Sequence, residues 1–190
     1  MLTTPAVRGR HMQTFVGAID QLPALDRGVL RERLAATLET IARASPVGWV
    51  PADLNLEATR VVSDHLGPER TRLFFRDLLL AGFKTPLLAA FVSGALRLAG
   101  SDPGAAFKWV PQGFGLVFRD CGVWSTHTRT PTSMVVEIKE LPPPMRDPIW
   151  LNSVASSLSA VFILTSKQGE MRLETADAGA TANLRATWRP

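Results

Sequence analysis

Residues 78–100 read LLLAGFKTPLLAAFVSGALRLAG, and Lys84 and Arg97 are the only charges in the stretch. Such a run is a membrane span, the wall of a cavity, or the interior of a folded domain. A span needs about 20 consecutive apolar residues. Only twelve positions separate Lys84 from Arg97, and Gly82 and Thr85-Pro86 interrupt the pattern. Gly82 stands where a helix ending at Ala81 would take a left-handed residue. Thr85 followed by Pro86 reads as an N-cap with proline at the first helical position. The stretch is therefore expected to be two helices meeting at a corner, with no membrane span.

The second of these helices, residues 86–99, is apolar at Leu87, Leu88, Phe91, Val92, Ala95, Leu96 and Leu98. A stripe that broad is expected to be mostly buried. Ala90, Ser93 and Gly94 form a small-residue patch that would admit a second backbone at close range. A central core helix is the ordinary reading, and a cavity-lining helix the sharper one.

Upstream of helix 86–99 the punctuation marks four helices, the last of them the one that ends at Ala81. Residues 6–20 place Val7, Met12, Phe15, Val16 and Ile19 inward, and Leu22-Pro23 ends that element. Residues 26–43 open on Asp26 as N-cap and carry Leu30, Leu34, Leu38 and Ile41 on one face. A third helix starts near Asp53, with Leu54, Ala58, Val61, Val62 and His65 or Leu66 on one side. Gly67-Pro68 closes it and opens the next, with Leu73, Phe74, Phe75 and Leu78 directed inward.

After Gly100 the period changes. GFGLVFRD, residues 113–120, alternates Phe114, Leu116 and Phe118 with smaller residues and reads as a strand. Asp120-Cys121-Gly122 has the composition of a hairpin turn into residues 123–128, and 133–139 is a further strand. Asp147-Pro148 opens a helix to about Leu164, and strands are expected over 170–175 and 182–188. The chain thus reads as a single α+β domain over residues 1–190. Its helical half (1–100) is followed by a half (101–190) built on an antiparallel sheet in the order β-β-β-α-β-β.

Composition narrows the function classes. A hydrophobic share of 46% with 20% charged residues is that of a folded chain. Net charge is +4, and all basic residues other than Lys84, Lys108, Lys139 and Lys167 are arginine. Those arginines are scattered among acids, whereas a nucleic-acid reader gathers them into a stripe, so nucleic acid is not an expected partner. The one cysteine, Cys121, rules out an internal disulfide and a cysteine-rich zinc site. With no basic head followed by an apolar run at the N-terminus, a cytoplasmic location is expected.

Catalytic signatures are weak. Gly113-Phe114-Gly115 lacks the third glycine and the lysine–serine pair of a phosphate loop. Cys121 and His127 are the residue types of thiol catalysis, but no flanking pattern supplies an oxyanion site, so Cys121 reads as a turn residue. His11, His65 and His127 lie on different elements with no metal-ligand spacing. Neither a metal nor a cofactor is expected, and the chain does not read as an enzyme. The aromatic set Phe114, Phe118, Trp124, Trp150 and Trp188 either fills a core or lines a pocket, with the core as the ordinary reading.

Gly17 with Leu22-Pro23, Trp49-Val50-Pro51, Leu66-Gly67 before Phe74-Phe75, and Thr85-Pro86-Leu87 are punctuation of a recognisable kind. So are Gly100 with Pro103, Trp109-Val110-Pro111, Phe118-Arg119-Asp120 with Gly122, Leu141-Pro142 and Trp188. With these motifs the chain resembles a myxobacterial-type paralogous family that carries no established activity, so the resemblance implies no functional residue. At the level of fold it looks like the superfamily containing haem nitric-oxide sensors, vinyl-reductase-type ligand-binding domains and vesicle-tethering subunits. The haem branch of that superfamily uses a proximal histidine with a tyrosine-serine-arginine motif, and this chain has no tyrosine.

Two functions follow as expectations. The first is a non-catalytic signalling or assembly module that binds a protein partner or a second copy of itself. The second is a sensor enclosing a small apolar ligand between helix 86–99 and the sheet, walled by Phe83, Leu87, Phe91, Phe114 and Phe118.

Overall fold

The computed structural model describes residues 4–176 and 180–190; the side chains of Pro86, Leu87, Thr175 and Ala176 lie outside that description. The chain opens with a short strand, β1 (Ala6–Arg8), and turns directly into helix α1 (Gly9–Asp20). The sequence reads residues 6–20 as one helix. Residues 6–8 are instead the middle of a small sheet, paired antiparallel with β2 (Trp49–Pro51) and with a two-residue strand β3 (Phe118–Arg119). The apolar Val7 suits either geometry, and pairing with segments far away in sequence decides between them.

The predicted helix 26–43 is two helices, α2 (Ala24–Arg33) and α3 (Ala35–Arg43), which meet at Leu34. Leu30, Leu34 and Ile41 are buried as the spacing requires. Asp26 is not a cap. It lies in the first turn of α2 and accepts from His65 Nε2 at 2.9 Å and from Arg70, tying α2 to the helix that follows.

That helix, α4 (Ala52–Gly82), is a 31-residue run bent at Gly67, whose φ of 73° is outside the helical region. Glycine adopts that angle without penalty, and Pro68 restarts the helix. Phe74, Phe75 and Leu78 are buried beyond the bend, packed with Phe15, Ile19, Leu30 and Leu34 in an N-terminal core, while Leu73 is exposed. Gly82 ends the helix with ordinary helical geometry. The capping is done by Phe83 and by Thr85, whose Oγ1 donates to the Gly82 carbonyl at 2.7 Å.

Helix α5 (Pro86–Ala99) begins as the sequence requires, with Thr85 at the N-cap and proline in its first turn. It packs chiefly against α6 (Pro103–Phe107) and α7 (Val110–Val117). The small-residue face of α5 meets no other backbone: a Cβ added at Gly94 would find no atom within 4 Å, and Ala90, Ser93 and Leu98 are exposed. Of the described stripe residues Leu88 and Ala95 are buried, Phe91, Val92 and Leu96 are half-buried, and Leu98 alone is exposed, so the solvent-facing side of α5 is the small-residue patch and not the stripe.

The second half holds the main sheet. β4 (Val123–Thr130), β5 (Ser133–Lys139), β6 (Gly169–Ala176) and β7 (Ala182–Trp188) form an antiparallel sheet in the order β4-β5-β7-β6. Between β5 and β6 the chain forms α8 (Pro148–Leu158) and α9 (Ala160–Leu164), and α8 is held between α4 and β6. The fold is α+β, helices first and antiparallel sheet second. In the second half the strand order differs from expectation at its start. GFGLVFRD is the helix α7 followed by β3, which joins the small sheet and not β4, so Asp120-Cys121-Gly122 is no hairpin turn.

The alternation Phe114, Leu116, Phe118 coexists with a helical set: Val110, Phe114, Val117 and Phe118. Pro111 in the first turn and the burial of Val117 show that the helical set is the one used. No helix among the described residues is long and apolar enough to cross a membrane.

Candidate functional site

Where α4 and α8 cross, their relative position is fixed by polar contacts at both ends of one turn. Asp147 N-caps α8, accepting from the N–H of Ile149 at 2.7 Å and of Trp150 at 3.2 Å, and it also takes Arg60 Nε of α4 at 2.9 Å. Burial alone would raise its carboxyl, but Arg60 and the two N–H groups outweigh that and hold it below the ordinary range. Three residues later Trp150, 1% exposed, donates its indole N–H to Asn55 Oδ1 at 3.0 Å. Asn55 in turn donates to Met12 Sδ on α1 at 3.5 Å. This chain of contacts places Trp150 at the base of a cavity.

The cavity has a volume of about 140 Å³. Helix α4 supplies Asn55, Thr59, Phe75, Leu78 and Leu79, with Phe83 just beyond its end, and α5 supplies Leu88, Phe91, Val92, Ala95 and Leu96. Helix α7 contributes Val110, Gly113, Phe114 and Val117. Trp150, Ser153, Val154, Ser157 and Leu158 come from α8, and His11 from α1. Among the described wall residues no side chain is charged, and His11 is the titratable one. Burial pushes that imidazole down to about 4, so it is neutral at physiological pH.

Aromatic rings dominate one side. Phe114 stacks on Phe118 at 4.3 Å between centroids, and Trp124 stacks on its other face at 3.6 Å. Trp150 meets Phe118 edge-on at 5.9 Å, and His11 lies 5.5 Å from the same ring. Across the cavity, Phe91 meets Trp109 edge-on at 6.1 Å. Gly113 eases this approach: a Cβ at that position would sit 3.0 Å from the edge of the Phe91 ring, so a larger residue would require that ring to give by a few tenths of an ångström.

Of the five wall residues proposed from sequence, Phe83, Phe91, Phe114 and Phe118 are brought together on this surface, and Leu87 lies outside the described side chains. The expected location needs correction. The cavity lies among helices α1, α4, α5, α7 and α8, and among its described wall residues only Phe118 belongs to a strand. The main sheet contributes none of the described wall residues and reaches the wall through Trp124 of β4, which stacks on Phe114. Trp188 is in the core, stacked near Phe107 at 6.4 Å. The aromatic set therefore divides between core and cavity.

Sequence reasoning missed His11, Asn55 and Thr59. Asn55 and Thr59 sit four residues apart with Ala58 and Val62 on the buried side of α4, and polar residues in an apolar face were the available signal.

The other candidates do not assemble. Cys121 is buried, and burial pushes its thiol up to about 11, so the nucleophilic thiolate is absent at neutral pH. His127 is on the exposed side of β4, where its Nε2 lies 3.2 Å from Glu137 and 3.3 Å from Ser125. Both contacts fall on one nitrogen, so the ring cannot relay a proton from the hydroxyl to the carboxylate. Among the described residues no group of three or more histidine, cysteine or acidic side chains is placed to hold a metal.

No family model matches the chain, and no curated protein matches it either. Solved structures do. The chain is similar to the Fe(II) unliganded H-NOX protein from K. algicida, with a TM-score of 0.67 at 10% identity over 96% of this chain and 97% of that one. It is also similar to an H-NOX protein from S. oneidensis in the Fe(II)NO ligation state (TM-score 0.66, 9% identity, 96% and 99% covered). An oxygen-binding H-NOX domain related to soluble guanylate cyclases, solved as its oxygen complex, gives 0.64 at 12% identity over 96% and 95%. At these identities the likeness establishes the fold: the architecture is that of H-NOX domains.

Proposed function

We propose that this chain is a sensor-type domain that encloses a small, uncharged, largely apolar ligand between α4, α5, α7 and α8. The observation that carries this reading is the cavity itself. It offers about 140 Å³, partly open to solvent, walled by phenylalanine, tryptophan and leucine, where a close-packed interior would leave few voids larger than a water molecule. Apolar voids of about 150 Å³ elsewhere stay dry and take up benzene or xenon, which sets the ligand's scale.

The neighbours in fold bind diatomic gases with iron, and the residues here do not fit a haem. The volume is well below the roughly 300–1,000 Å³ of sites for larger ligands. The described wall offers no arginine or lysine to meet the propionates of a porphyrin, and its one imidazole, His11, packs against the Phe118 ring. The ligand is accordingly held by apolar contact and not by a metal.

Helix α5 is the wall suited to report occupancy. Its inner face lines the cavity while Ala90, Ser93, Gly94 and Leu98 face solvent, Leu98 at 74% exposure. A ligand that favours one position of α5 shifts that surface, where a protein partner would read it. The module reading thus becomes the output of the sensor.

Titration with benzene, followed by the fluorescence of Trp109 and Trp150, is expected to saturate with a dissociation constant of about 1 mM. Haemin added to the purified protein is expected to give no stoichiometric Soret band. A linear, unsaturated response to benzene, or a tight haem complex, would sink the proposal.

A further inference from the structure

Thr59 lies on α4 in the cavity wall, 1% exposed, and its Oγ1 has no hydrogen-bond partner. Helical threonines normally return their hydroxyl to the carbonyl four residues back. Three threonines of this chain do so: Thr14 donates to Arg10, Thr40 to Ala36, and Thr165 to Val161, at 2.8–3.0 Å, whereas Thr37 donates to Glu57 and Thr71 has no partner. Thr59 has the same option toward Asn55 and does not use it.

Two of its polar neighbours in the wall, Asn55 and Ser153, are committed. Asn55 spends its oxygen on Trp150 and its amide on Met12, and the Ser153 hydroxyl donates to the Trp150 carbonyl at 2.7 Å. A buried, unpaired hydroxyl is costly, and such groups in a native protein call for an explanation. Ser63 and Thr71 also carry unpartnered hydroxyls, but neither faces the cavity. A ligand that bonds to Thr59 supplies the missing partner.

We infer that the ligand is a small apolar molecule bearing one uncharged hydrogen-bonding group, a hydroxyl or a carbonyl, which meets Thr59 Oγ1 inside the cavity. The inference rests on the ligand-cavity reading above and gives that ligand its chemical class. A carboxylate or an ammonium group is excluded, because no charged side chain in the described wall would offset its desolvation. His11, neutral by burial, adds a second uncharged polar site in the same wall without altering the preference.

The test uses phenol and toluene, a pair matched in size that differs by a hydroxyl against a methyl group. Binding of both is measured on the full chain and on Thr59→Val, which keeps the side-chain shape and removes the hydroxyl. Thr59→Val is expected to weaken phenol about tenfold while toluene changes by less than about twofold, and Thr59→Ser is expected to retain the phenol affinity. Unchanged phenol affinity in Thr59→Val, with toluene still bound, would overturn the inference and leave the cavity reading standing. Failure of both probes to bind the unmodified chain would overturn the cavity reading and this inference with it. A thermal melt of ligand-free Thr59→Val at or above the unmodified midpoint verifies that the variant is folded.

Discussion

Trp150→Ala is expected to destabilise the fold by about 3–5 kcal/mol, measured as a fall in the urea midpoint at unchanged slope. Trp150 is among the largest fully buried side chains and joins α8 to three other elements. Its ring meets Phe114 and Phe118 edge-on, and its N–H satisfies Asn55 on α4. Truncation therefore does two things at once. It enlarges an existing cavity, which the surrounding helices cannot collapse to fill, and it leaves the Asn55 oxygen buried without a donor. Trp150→Phe separates the two effects, since it keeps most of the ring and loses only the hydrogen bond, at about 1–3 kcal/mol. A Trp150→Ala midpoint within about 1 kcal/mol of the unmodified protein would show that α8 is not docked on α4 as described.

The second large effect is on binding. Ala95 is buried on the inner face of α5, pointing into the cavity with Leu88 and Phe91 as neighbours. Ala95→Phe is expected to occupy the space itself and to lower benzene affinity about 100-fold or more. The new ring enters a void and not packed atoms, so the usual cost of overpacking, about 1–3 kcal/mol, is largely avoided. Gly113 would be the wrong site for such a substitution, because its Cβ already conflicts with Phe91. Unaltered benzene binding in Ala95→Phe would place the ligand elsewhere.

How far this site was legible in the sequence depends on which residue is asked about. Thr85-Pro86 fixed the start of α5 because capping chemistry is local, and Phe91 followed from the apolar face of that helix. Phe114 and Phe118 were recognised as wall residues for a reason only half right. A two-residue and a four-residue repeat coincide at those positions, and the small sheet β2-β1-β3, whose strands come from three distant segments, makes the choice between them. Nothing local announces that sheet.

Asn55 and Thr59 left only a faint signal, their place among Ala58 and Val62, because a polar residue on an amphipathic helix is ordinarily read as solvent-facing. Only the docking of α8 and α1 reveals that this side of α4 is the inside. The outer face of α5 shows the opposite failure. Ala90, Ser93, Gly94 and Leu98 look like a packing surface, yet the described fold brings nothing against them. Composition marks what a face is able to bury; tertiary arrangement decides what it does bury.

The central claim is that the space between α4, α5, α7 and α8 is a true apolar cavity able to hold a ligand. Diffraction from crystals pressurised with xenon tests it most directly, since xenon enters dry apolar voids of this size and reports its own position. The account predicts one strong site among Phe91, Ala95, Phe114 and Trp150. An interior without xenon, with those side chains interlocked at ordinary packing density, would contradict it.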